Sequence, residues 1–262
     1  MHEIITSFIS NDSAFGKAMT RLGIIIGANL MFVLFSLPVF TVGAGAVALY
    51  HVMLKALRGD GVINPFKQFW LGFKGNFKQG TIIWLITLLL VLFGYVDVRI
   101  CLQAGGMVAL FRYPIYLMGG LLLVLFLYLL PVMAAFEDTI PHLMRNAVYF
   151  ALKKPLKLIV ILFFNVFPMV LTYTDSQYQP LYAFLWFMFG YGAIAMLGAS
   201  LLLPEFIPHL PIVDDSGDFI LDADGQKIAY GTEISGEEYG GGDMDEDEKK
   251  MMEDMMKMDG LM

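Results

Sequence analysis

The densest group of chemically capable side chains is Glu137, Asp138, His142 and Arg145, in FEDTIPHLMRN. A helical metal pair sets its ligands four apart on one face, with a carboxylate between them for acid–base work. Glu137 and His142 are five apart, so the group reads as a helix cap beside a solvated surface. HExxH, GxSxG and P-loop patterns are absent from the sequence, and no catalytic residue, metal site or cofactor is expected. Near the C-terminus, Met251, Met252, Met255, Met256 and Met258 repeat at Met-x-x-Met spacing. Thioethers suit soft Cu(I), but no Cys or His accompanies them, and the stretch reads as an apolar docking stripe or as disorder. Asp222-x-Asp224-Gly225 has the start of a calcium loop without its remaining ligands, and reads as a hairpin turn. The polar residues left inside apolar runs are Asn29 and Asn165. A buried amide there acts either as glue between helices or as the lining of a solute path.

The elements that carry these residues follow from hydropathy. The chain is 58% apolar, against about 45–50% in soluble domains. The excess lies in runs near 22–40, 42–57, 81–98, 114–136, 157–174 and 181–203. A bilayer core of roughly 30 Å needs about 20 apolar residues as helix, so six spans are expected. The fourth and sixth carry no charge. No span holds an acidic residue near its centre, which argues against a proton-coupled pump. Pro38, Pro131 and Pro168 break helix ladders near or within spans. Gly119-Gly120, Gly190, Gly192, Ala195 and Ala199 suggest close helix contacts. The single cysteine, Cys101, excludes an intramolecular disulfide.

Charge divides the chain. Residues 1–203 hold 13 Lys/Arg and 7 Asp/Glu, whereas residues 204–262 hold 4 and 17. Three regions are therefore expected: an amphipathic N-terminal segment 1–21, a transmembrane domain 22–203, and an acidic Met-rich tail 204–262, partly disordered. The tail's GDFILDADGQKIAY reads as strand, turn, strand. With the N-terminus inside, the inner segments hold eleven Lys/Arg and the outer only Arg99 and Arg112, which places both termini in the cytoplasm. This requires the chain to go out and return between Arg21 and Lys55. Either 42–57 crosses, or 22–57 is a re-entrant hairpin. Lys17 and Arg21, the apolar run and Gly-Ala-Gly-Ala have the order of a signal peptide. The run is long for that role and more spans follow, so a retained span is expected.

Three segments before spans look interfacial: 4–21, 64–80 and 139–155. In Asn64 to Gly80, residues Phe66, Phe69, Trp70, Phe73 and Phe77 fall within roughly a 100° arc. Lys67, Lys74 and Lys78 flank it. The pattern fits aromatics at the acyl boundary with lysines reaching lipid phosphates.

Four blocks carry a family resemblance. Asn29-Leu30 precedes Ser36-Leu37-Pro38-Val39, Thr41-Val42-Gly43-Ala44 and Ala48-Leu49-Tyr50. Phe66, Phe69, Phe73-Lys74 and Asn76-Phe77-Lys78-Gln79 follow. Phe136-Glu137-Asp138-Thr139 with Arg145-Asn146-Ala147 is the third, and Leu202-Leu203-Pro204 with Phe206 closes the domain. Over residues 12–206 the chain resembles the YesL-like family, uncharacterised bacterial membrane proteins grouped as a domain of unknown function. The acidic tail departs from that pattern. The resemblance implies several helical spans and a role accompanying sugar import or its regulation. It marks Asn29, Pro38, Thr41, Gly43, Tyr50 and Asn76 as signature positions.

The expected molecule is an all-α polytopic membrane bundle with interfacial amphipathic helices. The expected function is non-enzymatic, accessory or regulatory to carbohydrate uptake at the bacterial cytoplasmic membrane. A small-solute transporter or channel lined by 37–55, Asn29 and Asn165 is the alternative. Expected partners are the lipid bilayer, membrane transport or sensor proteins, and copies of the chain through its glycine-rich spans, with no nucleic acid.

Overall fold

The computed structural model of the chain describes residues 14–58 and 63–210. The chain divides into two compact units, Met1–Ile207 and Pro208–Met262. Only residues 208–210 of the second are among those described, so the tail hairpin, the Asp222–Gly225 turn and the Met-rich stretch lie outside them. Among the described residues of the first unit the architecture is helical: α1 (Ala14–Phe35), α2 (Val42–Arg58), α3 (Pro65–Ala104), α4 (Arg112–Ala135), α5 (Ile140–Lys153), α6 (Pro155–Thr174), α7 (Gln179–Leu185) and α8 (Tyr191–Phe206). A π-helical segment, Trp186–Gly190, joins α7 to α8. Six stretches are long and apolar enough to cross a membrane, and the protein is a multi-pass helical membrane bundle, since only self-satisfied backbone is stable in lipid.

The first run ends early, at Phe35, because Pro38 stops the helix. The Thr41 hydroxyl lies within bonding distance of the carbonyls of Phe35 and Pro38 (2.6 Å to the latter), fixing a tight turn. A single 3₁₀ turn, Val39–Thr41, then leads into α2. Helix α2 is the most enclosed of the six apolar stretches.

Residues 64–80 do not form a helix of their own. They are the first part of α3, a single 40-residue helix, on the order of 60 Å long at about 1.5 Å per residue. Its N-cap is Asn64, whose Oδ1 accepts from the amides of Phe66 (3.0 Å) and Lys67 (3.2 Å). Proline at the first helical position lacks the amide that would go unpaired there. The helix ends at Gly105 and Gly106, whose φ of 66° and 55° suits glycine. Residues 14–21 are likewise continuous with α1. Helix α5 is the separate amphipathic helix: it buries Leu143, Ala147, Phe150 and Ala151 and exposes Met144, Val148, Tyr149 and Leu152.

The two parts of α3 have different neighbours. Gly80 meets α2 so closely that a Cβ there would lie 2.8 Å from the Ala44 Cα. Gly72 faces His51, and Gly27 faces Pro65. Phe35 packs on Phe69, Trp70 and Phe73, with centroids 5.7, 5.7 and 4.9 Å away. The α1–α2 hairpin therefore runs beside residues 65–84. Further along, Gly94 faces Ile115, and Trp84 packs on Phe126 at 5.7 Å, so α4 runs back beside the outer part. The tip of the hairpin meets α3 at Trp84, whose indole N–H donates to the Val39 carbonyl at 2.7 Å. Leu37, Val39 and Phe40 at that tip are exposed. Gly119 and Gly120 depart from expectation: a Cβ on either would meet nothing within 4 Å, so this pair makes no close helix contact.

The last span outruns its expected limit. Helix α8 continues through Pro204 to Phe206, so residues 204–206 belong with the bundle and not with the tail. Phe206 sits edge-on to Phe136 at 5.4 Å and Phe150 at 4.9 Å, closing α8 onto α4 and α5.

Candidate functional site

Asn29 is fully buried. Its amide nitrogen donates to the carbonyls of Trp186 (3.0 Å) and Phe187 (2.7 Å), and its oxygen accepts from the Gly192 amide (2.9 Å). All three partners lie in or just after the π-helical segment. A π-bulge disturbs the regular ladder of amides and carbonyls, and in lipid such groups must find protein partners. Asn29 supplies them, through contacts 157 to 163 residues away. It acts as interhelical glue and does not line an open path. Asn165 donates to the Ile161 carbonyl at 2.8 Å, and Asn76 to the Gly72 carbonyl at 3.2 Å. Both bonds close one turn of their own helix, so the interior polar residues are not gathered into one site.

Beside the π segment lies a pocket of about 290 Å³, between Pro168, Leu171 and Thr172 of α6 and Tyr182, Leu185, Trp186, Gly190 and Ile194. Its polar wall groups bond to one another or to neighbours: the Trp186 indole donates to Thr172 Oγ1 (3.0 Å), and the Tyr182 hydroxyl to Asp175 (3.0 Å). The cavity is thus apolar in character.

The signature positions converge. Gly43 packs against Gly80 and Trp84, and buried Tyr50 sets its hydroxyl against Gly198. Gln79 donates to the Asp138 carbonyl at 3.1 Å. Pro38 is exposed at the turn, and Thr41 is buried behind it. The blocks thus describe one packing core joining α1 to α4 and α8.

The aromatic arc of 64–80 splits. Phe69 and Phe73 are buried against Phe35 and cannot serve a lipid surface. Phe66, Trp70 and Phe77 are exposed, and so are Lys67, Lys74 and Lys78. The arc reads as one face, but α1 covers its inner edge.

Three features escaped the sequence reading. Asp138 and His142, four apart, pair at 3.1 Å. The Thr139 amide, and then His142, hold the Asp138 carboxyl below its ordinary range. The i, i+4 spacing was the available signal. The second is Trp84, joining the hairpin tip to α4. The third is Glu205, buried beneath three lysines: Lys153 at 3.2 Å, Lys154 at 2.9 Å and Lys157 at 2.8 Å. Lys157 also donates to the Leu201 carbonyl at 2.8 Å. Partners about 50 residues apart leave no local trace.

Comparison with known proteins bears on the same core. The uncharacterized protein YteU of Bacillus subtilis (strain 168) is 26% identical over 108 residues, 41% of this chain. The match spans about half of that relative, 49% of its length. No solved structure matches the chain. Residues 25–98, a stretch that holds most of α1, all of α2 and α3 as far as Val98, match the family described as "Protein of unknown function, DUF624", a similarity in keeping with the YesL-like resemblance.

Proposed function

We propose that the protein is a non-enzymatic component of the bacterial cytoplasmic membrane that acts through contacts with a membrane transport or sensor protein. Both termini lie inside, an orientation supported by the eleven-to-two bias of Lys/Arg. The observation that carries the reading is the outer face of α3 between Pro65 and Gly80. One side is anchored by Phe69, Gly72, Phe73 and Gly80, and the other presents Phe66, Trp70, Leu71 and Phe77 among three lysines. Large exposed aromatics on a rigid, anchored helix are the material of interface anchors. Asn29 is spent on structure, which weighs against a polar path through the hairpin. The link to sugar uptake rests on the family resemblance alone.

A photo-crosslinker at Trp70 or Phe77, activated in native membranes, tests the reading. Covalent recovery of a transporter subunit or sensor supports it. Recovery of lipid alone, or of nothing above background, refutes it. The apolar pocket by Trp186 keeps a small-solute route as a second reading. Flux of sugars or osmolytes into liposomes, abolished by narrowing the pocket at its lining residue Ile194 with Ile194→Phe, would favour that route.

A further inference from the structure

We propose that Lys153, Lys154 and Lys157, gathered by Glu205, form a headgroup site for an anionic phospholipid. Three ammonium groups within 3.2 Å of one carboxylate leave a local charge of +2. Each ammonium has three protons; Lys153 and Lys154 each direct one at Glu205, leaving donors for further oxygens. The carboxylate is buried while the Lys154 side chain is 53% exposed, so the cluster is assembled from beneath and open from above. Glu205 holds the lysines close together before any ligand arrives, which lowers the cost of ordering long side chains on binding.

The surroundings select a lipid. The cluster lies at the junction of amphipathic α5 and the membrane-crossing α6, at Lys153–Pro155. This is headgroup level by the order of elements. Leu152, Leu156 and Ile159 are 73%, 78% and 61% exposed around it. Apolar side chains beside a basic cluster offer acyl chains a surface directly below the phosphate, and basic pockets between spans recognise acidic headgroups in this way. The Lys153 ammonium also sits 5.7 Å from the ring of exposed Tyr149, an aromatic of the kind found at the interface. A soluble phosphate would have no use for these apolar neighbours.

Native mass spectrometry of the full chain, released from detergent with phosphatidylglycerol or phosphatidylcholine, provides the test. The unaltered protein should retain phosphatidylglycerol preferentially. Lys153→Gln with Lys154→Gln should reduce that preference about fivefold for each lysine removed. Both substituted side chains reach solvent, so the double variant is expected to fold and its result decides the matter. Equal retention of the two lipids by the unaltered protein, or an unchanged preference in the double variant, would overturn the proposal. So would displacement of the lipid by millimolar inorganic phosphate, which would mark a site for free phosphate.

Discussion

Replacing Asn29 by Leu separates glue from pore lining. Leucine keeps asparagine's branching at Cγ but has none of its polar atoms. The change removes two donations, to Trp186 and Phe187, and one acceptance, from Gly192. Interhelical hydrogen bonds in membranes average about 0.6 kcal/mol, giving about 2 kcal/mol for three. The buried Gly192 amide also loses its acceptor, and an orphaned donor costs about 1–3 kcal/mol in its own right. These overlap, so a loss of roughly 2–4 kcal/mol is expected. Denaturant unfolding in mixed micelles measures it. Hydrogen exchange adds a local readout: the Gly192 amide should lose protection first. If Asn29→Leu unfolds at the same denaturant concentration as the unaltered protein and Gly192 stays protected, the coupling between Asn29 and the π segment is wrong. Asn29→Asp should be worse than Asn29→Leu, since a carboxylate cannot donate to two carbonyls.

Three further outcomes follow from the packing. Phe69→Ala should cost about 3–5 kcal/mol, the range for a fully buried phenylalanine, whereas Phe77→Ala should cost about 1 kcal/mol or less, because it forfeits one edge contact with Phe73; unfolding of the two variants under one condition compares them. In a Cys101→Ser background, cysteines at Leu37 and Val39 should resist impermeant thiol reagents from both sides, because the hairpin tip meets α3 where its apolar run begins; strong labelling from outside would show a full crossing. Asp138 titrates below its ordinary range in the folded chain, so its contribution to stability is complete above the unfolded carboxylate range and disappears as pH falls through the lowered folded value. The stability gap between the unaltered protein and Asp138→Asn should therefore close on acidification, and a gap that widens would contradict the assignment.

Much of the helical content was readable because lipid imposes it: a charge-free run such as 114–136 has few other outcomes. Boundaries were readable where a residue acts alone, as Asn64 and Pro38 do. What could not be read was which side of a helix its neighbours would cover. The 100° arc from Phe66 to Phe77 is real, yet Phe35 buries Phe69 and Phe73, and nothing within 64–80 encodes the approach of α1. Charge composition places Glu205 with the acidic tail because it averages over position. Its three lysine partners arrive from α5, α6 and the link between them. Gly119 and Gly120 mislead for the opposite reason, since a small residue permits close approach without requiring it.

Helix α3 also fixes a phase relation. Gly80 meets Ala44 of α2, and Gly94 meets Ile115 of α4. They are 14 residues apart, close to four turns of about 3.6 residues, so the two contacts fall on nearly one side of a single rod. Trp84 stands between, touching the hairpin tip and α4 together. One residue added or removed there would turn the outer half by about 100° relative to the inner. Neither hairpin could keep its seat without the other losing its own. The length of the Gly80–Gly94 interval is thus constrained even where its apolar side chains are interchangeable.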